Sequence, residues 1–142
     1  MKITATIARY LLGFLFTVFG LNGFLHFLPM GSVPPLAVQF YGAMVQSHYM
    51  AVVFALQLIC GLMLLANRYV PLALTILGPI LFNIILFHIF MAPAGLPLAA
   101  VVTLLWAVLA YRARSVFAPL FQKSPETPAM SNKSSLEARS VA

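Results

Sequence analysis

A chain of 142 residues that is 63% hydrophobic and only 7% charged, with a mean hydropathy of +1.02, lies far from soluble domains, where about a quarter of residues carry charge. It reads as a single-domain integral membrane protein. The net charge of +6 comes with no basic face or nucleic-acid motif, which excludes nucleic acid as partner. The lone Cys60 excludes a disulfide framework and a cysteine metal site.

The first apolar segment runs from Thr4 to Leu28. Lys2 and Arg9 ahead of an apolar run resemble a signal peptide, but the run is too long. Leu25-His26-Phe27-Leu28-Pro29 also stands where small residues would mark a cleavage site, so the segment is expected to be an uncleaved spanning helix. Gly13, Thr17 and Gly20 fall within about 60° of one another at about 100° per residue, a small-residue seam through which copies of the chain could pair. Asn22 and His26, four apart, share the opposite face.

Pro29, Gly31, Pro34 and Pro35 then break the helix. Ser32 before the two prolines could cap a short new one, with Ala37, Phe40, Tyr41, Met44 and Val45 on a weakly apolar side. That piece is expected to lie at the interface as a lid over a bundle. A second span follows from Tyr49 to Ala66, with Gln57 near its centre and Gly61 one turn on. Asn67-Arg68-Tyr69 forms a tight loop, and Pro71 suits the first turn of the next helix.

The third span, Val70 to Met91, holds no charge and at about 1.5 Å per residue is long enough to cross about 30 Å of hydrocarbon. It has no polar stripe for water, yet Pro79, Asn83 and His88 lie inside it. Each needs a neighbour in lipid, so this helix is expected to form the inner wall of a bundle. After the turn Ala92-Pro-Ala-Gly-Leu-Pro97, a fourth span runs from Leu98 to Tyr111, with Trp106 towards its far end. Arg112 to Phe121 should lie along the surface near anionic head groups. The fold expected is all-α: a four-transmembrane-helix bundle over residues 1–121, with a disordered tail over residues 122–142.

Four crossings put all eight basic residues, Lys2, Arg9, Arg68, Arg112, Arg114, Lys123, Lys133 and Arg139, on one side. The positive-inside rule makes that side cytoplasmic, with both termini there. Counting residues from it places Asn22, His26, Asn83 and His88 in the outer half of the bundle and Gln57 near the midplane. Asn22…His26…Pro29 and Asn83…His88…Pro93 echo one another weakly, as in a parallel repeat.

These five residues have a bland reading and a chemical one. Interfacial histidines commonly bond backbone or water, and membrane amides commonly join helices through bonds of about 0.6 kcal/mol. Asn83 and His88, about 140° apart, cannot both face inwards. As a cluster, Asn22, His26, Gln57, Asn83 and His88 could hydrogen-bond the carbonyls of a quinone between Phe24, Phe27, Phe82 and Phe87. Haem ligation by two histidines is disfavoured by their position near the outer surface and by the lack of any other haem cue. A metal needs more ligands than two histidines, and ion- or proton-coupled transport lacks an intramembrane carboxylate.

Several short patterns, in order, resemble the DoxX family of small bacterial four-helix membrane proteins. They are Arg9-Tyr-Leu-Leu-Gly13, Phe19-Gly-Leu-Asn-Gly-Phe-Leu-His-Phe27, Gln57-Leu-Ile-Cys-Gly-Leu-Met-Leu-Leu-Ala-Asn-Arg68, Val70-Pro-Leu-Ala-Leu74 and Gly78-Pro-Ile-Leu-Phe-Asn-Ile-Ile-Leu-Phe-His88. The similarity covers Ile7 to Phe121. Many relatives carry Glu where this chain has Gln57, and an amide does not titrate, so a proton-carrying role does not transfer. The family takes its name from a small subunit of an archaeal quinol-oxidising complex. The resemblance therefore implies an inner-membrane accessory subunit of a quinone-linked oxidoreductase, non-catalytic or weakly catalytic alone. A structural scaffold or assembly factor is the alternative, and a small-solute transporter the third reading.

Overall fold

The structure, a computed structural model, describes residues 2–29 and 31–121; the segment expected as a tail, residues 122–142, lies outside them. The described elements are α1 (Lys2–Leu25), α2 (Pro35–Gln46), α3 (Tyr49–Leu65), α4 (Val70–Phe90), a 3-10 turn at Pro93–Gly95, α5 (Leu96–Arg112), the single turn α6 (Arg114–Phe117) and a closing 3-10 turn at Ala118–Phe121. Three stretches, Ile3–Leu25, Val70–Phe90 and Pro93–Arg112, are long and apolar enough to cross a membrane. The consecutive helices α2 and α3, bent by 85° at a short break, reach that length and apolarity only as a pair, so the candidate spans number three, or four with that pair counted as one. The expected all-helical architecture is found, while the lid piece and the second span, expected as separate elements, form one sharply bent pair.

Packing closes these helices into a ring. The most extensive interface joins α1 to α3, and α3 to α4, α4 to α5 and α5 to α1 complete the circuit. Helix α2 lies across α3 at the end of the bundle away from the arginines. It also reaches α4, where the Phe40 and Phe87 rings sit 6.0 Å apart. Inside the ring Leu12, Phe16, Cys60, Leu64, Leu74, Leu77 and Leu81 are sealed, while Phe14, Val52, Phe82 and Leu104 are turned outwards. Apolar residues on both surfaces suit lipid rather than water, and in lipid the helices must be held by close packing and polar contacts.

Those contacts can be named. A Cβ on Gly20 would lie 2.6 Å from the Leu58 nitrogen, so no side chain fits and the backbones of α1 and α3 touch. Gly13 and Thr17 meet Gly61 in the same seam. The small-residue stripe of α1 is thus filled by α3 of the same chain. Near the basic end the Arg9 guanidinium donates to the Leu64 and Leu65 carbonyls at the end of α3, adding to the Asn67 N–H that Leu64 also accepts at 3.2 Å. Across the ring the Trp106 indole donates to the Leu74 carbonyl at 2.8 Å and lies over Gly78, locking α5 to α4.

One boundary differs from expectation in a way that matters. The first helix stops at Leu25, three residues short of the expected Leu28. His26 takes a left-handed φ of 52° and its N–H donates to the Asn22 carbonyl at 2.8 Å, a helix stop in which glycine is the usual occupant. Histidine there keeps the polar ring but bears the strain.

Candidate functional site

The five polar residues do not form one cluster. Asn22 and His26 stay together, but not on one helix face, because His26 lies beyond the helix end. The Asn22 Oδ1 accepts the Leu28 N–H at 2.7 Å, which pins the chain as it leaves α1. Around this stop a cleft of about 320 Å³ is lined by Asn22, His26, Leu28, Pro29 and Tyr41. That volume is at the low end of ligand pockets, about 300–1,000 Å³, and accommodates a single ring. The Asn22 amide nitrogen, the His26 imidazole and the Tyr41 hydroxyl have no hydrogen bond among the described residues. All three are free to meet a ligand oxygen.

Tyr41 is the residue that sequence reading placed on the apolar side of a lid and did not count as a site residue. Its spacing from Ala37, one helical turn earlier, is the signal: Ala37 is fully buried under α2, so Tyr41 also lies on the inward side.

Gln57 is buried, at 5% exposure, on the same side of α3 as Cys60, Gly61 and Leu64. Its amide makes no hydrogen bond to another described residue. Every fully sealed side-chain nitrogen or oxygen among the described residues has a partner, so the Gln57 amide keeps a small opening to accept one. Depth follows from the seam: Gly20 meets Leu58 and Gly23 meets the Phe54 ring. Gln57 therefore lies level with Leu21 of α1, just below Asn22, about 1.5 Å along the axis at about 1.5 Å per residue.

The remaining two residues are used locally. Asn83 faces outwards beside the 64% exposed Phe82, and its side chain donates to the Pro79 carbonyl at 3.0 Å. The His88 Nδ1 pairs with the Ala92 carbonyl at 3.0 Å, and its ring lies against Gly95, so it holds the turn into α5. The four phenylalanines separate likewise: Phe24 packs edge-on against Phe54, Phe87 against Phe40, and Phe27 and Phe82 are exposed. Among the described residues no three His, Cys, Asp or Glu side chains converge. The arrangement offers neutral hydrogen bonding in an apolar frame. The chain matches no protein-family model, no curated protein and no solved structure.

Proposed function

We propose that this chain is a bacterial inner-membrane protein, both termini cytoplasmic, that holds a quinone headgroup for a partner oxidoreductase, as its resemblance to the DoxX family suggests. The observation that carries the reading is the Gln57 amide, buried inside the ring and without a hydrogen-bond partner among the described residues. A buried amide seeks both a donor and an acceptor. A quinone carbonyl accepts its N–H, and a quinol hydroxyl donates to its oxygen, so one side chain serves both redox forms without titrating. The Asn22, His26 and Tyr41 cleft adds donors and acceptors at nearly the same depth. Electrons come from the partner; this chain contributes binding and orientation.

The test is quinone retention by the purified full-length chain, scored beside membrane abundance. Wild type should carry quinone into detergent, and Gln57→Leu should keep its abundance and lose the quinone. Equal retention in both proteins, or parallel loss of abundance and quinone, overturns the proposal. A scaffold or assembly role is the competing reading, favoured by the local use of Asn83 and His88. It predicts that a deletion strain fails to assemble respiratory complexes while residual quinol oxidation per complex stays normal.

A further inference from the structure

At the opposite end of the bundle, between α1 and α5, lies a groove of about 370 Å³ lined by Thr4, Ala5, Ala107, Val108, Tyr111 and Arg112. Its walls change character along its length. Ala5, Ala107 and Val108 offer only hydrocarbon, whereas Thr4, Tyr111 and Arg112 bring hydroxyls and a guanidinium at the end of the span. Arg112 and Thr4 have no hydrogen bond or ion pair to another described residue. Arg114 stacks on the Tyr111 ring, 4.4 Å from its centroid, and donates to the Tyr111 carbonyl at 3.2 Å, so a second positive charge is held at the same mouth.

The chain cannot neutralise these charges from within its helical part. No Asp or Glu occurs before Glu126, and Glu137 is the only other acid. Another arginine near this end, the half-buried Arg9, is already taken up by the carbonyls that close α3. No carboxylate of the helical part can supply the anion. At the end of a spanning helix, an anion that carries its own hydrocarbon matches the groove's change from apolar to basic.

We infer that the α1–α5 groove is a seat for one anionic glycerophospholipid, its phosphate on the Arg112 guanidinium and the Thr4 hydroxyl and an acyl chain along Ala5, Ala107 and Val108. The alanines matter as much as the arginine, because they leave room for the chain. Arg112 supplies two parallel N–H donors to phosphate oxygens, a geometry a lysine does not reproduce. Tyr111, braced by Arg114, closes the headgroup side.

The experiment is native mass spectrometry of the full-length chain, delipidated and titrated with dioleoyl-phosphatidylglycerol or dioleoyl-phosphatidylcholine. Wild type should bind one phosphatidylglycerol with about fivefold preference over phosphatidylcholine, the ratio given by the roughly 1 kcal/mol gained by a basic side chain at an anionic lipid surface. Arg112→Gln should erase the preference. Ala107→Phe, which fills the groove and leaves every charge in place, should remove the single tight site for both lipids. Equal binding of the two lipids by wild type overturns the inference, as does an Ala107→Phe protein that keeps wild-type phosphatidylglycerol binding. Should Arg112→Gln fail to accumulate, Ala107→Phe still decides the matter, with circular dichroism establishing that it is folded.

Discussion

A Cβ placed on Gly61 would sit 2.6 Å from the backbone nitrogen of Thr17. Two helices of an apolar bundle therefore meet backbone to backbone, with Thr17 folding its own hydroxyl back onto the Gly13 carbonyl at 2.7 Å. Gly61→Ala should force α1 and α3 apart and destabilise the bundle by about 1–3 kcal/mol, the cost of overpacking a tight contact. The polar atoms lining the joint, the Thr17 hydroxyl and the Gly13 carbonyl, are paired with each other, and thermal melts in detergent would measure the change. An unchanged melt would mean that the helices separate freely and that this seam does not hold them.

His26 supplies a prediction in which stability and binding move in opposite directions. Its left-handed φ of 52° costs a side chain about 1 kcal/mol that glycine avoids. His26→Gly should therefore melt no lower than wild type and up to the equivalent of about 1 kcal/mol higher. Quinone retention, on the proposed function, should fall in the same preparation. A marked loss of stability would show instead that the imidazole itself holds the turn.

Arg9 closes α3 from another helix by donating to the Leu64 and Leu65 carbonyls. Arg9→Met keeps much of the stem and removes the donors. It should lower stability by about 1–2 kcal/mol, since a charged donor and a favourable helix-end charge are lost together. Arg9→Lys should recover part of that. Equal melting of all three proteins would remove this contact from the account of what holds the ring.

Asn83 is the control for Gln57. It faces outwards and bonds within its own helix, so Asn83→Leu should cost no more than about 0.6 kcal/mol and leave bound quinone unchanged. Loss of quinone from this variant, measured by extraction, would place the ligand on the outside of α4 and not inside the ring.

The long helices were legible because apolar runs of about 20 residues are bounded by arginines and prolines. The break before α2 was foreshadowed by Pro29, Pro34 and Pro35, whereas the 85° bend between α2 and α3 falls at Ser47 and His48, the latter at a left-handed φ of 61°, where neither proline nor glycine marks it. The end of α1 was hidden because His26-Phe27-Leu28 continues the apolar run and no glycine marks the stop. The candidate site was legible only in part. Periodicity shows that Asn83 and His88 diverge, but which of them faces the ring depends on how α4 is rotated against α5. That rotation is fixed by Trp106, 32 residues from the Leu74 carbonyl it bonds, and by the notch at Gly78. Likewise the Gly13, Thr17 and Gly20 stripe announces a close neighbour without saying which one.

The Trp106 contact has a practical consequence. This indole is the chain's only tryptophan, half-buried where α5 meets α4 and held by one hydrogen bond. Its emission is therefore a label already in place at a single joint, free of contribution from any other tryptophan. Parting of α4 from α5 would free the N–H and shift the emission, while rearrangements confined to α2 would leave it still. Fluorescence of the unmodified protein can thus tell motion of the lid from opening of the ring.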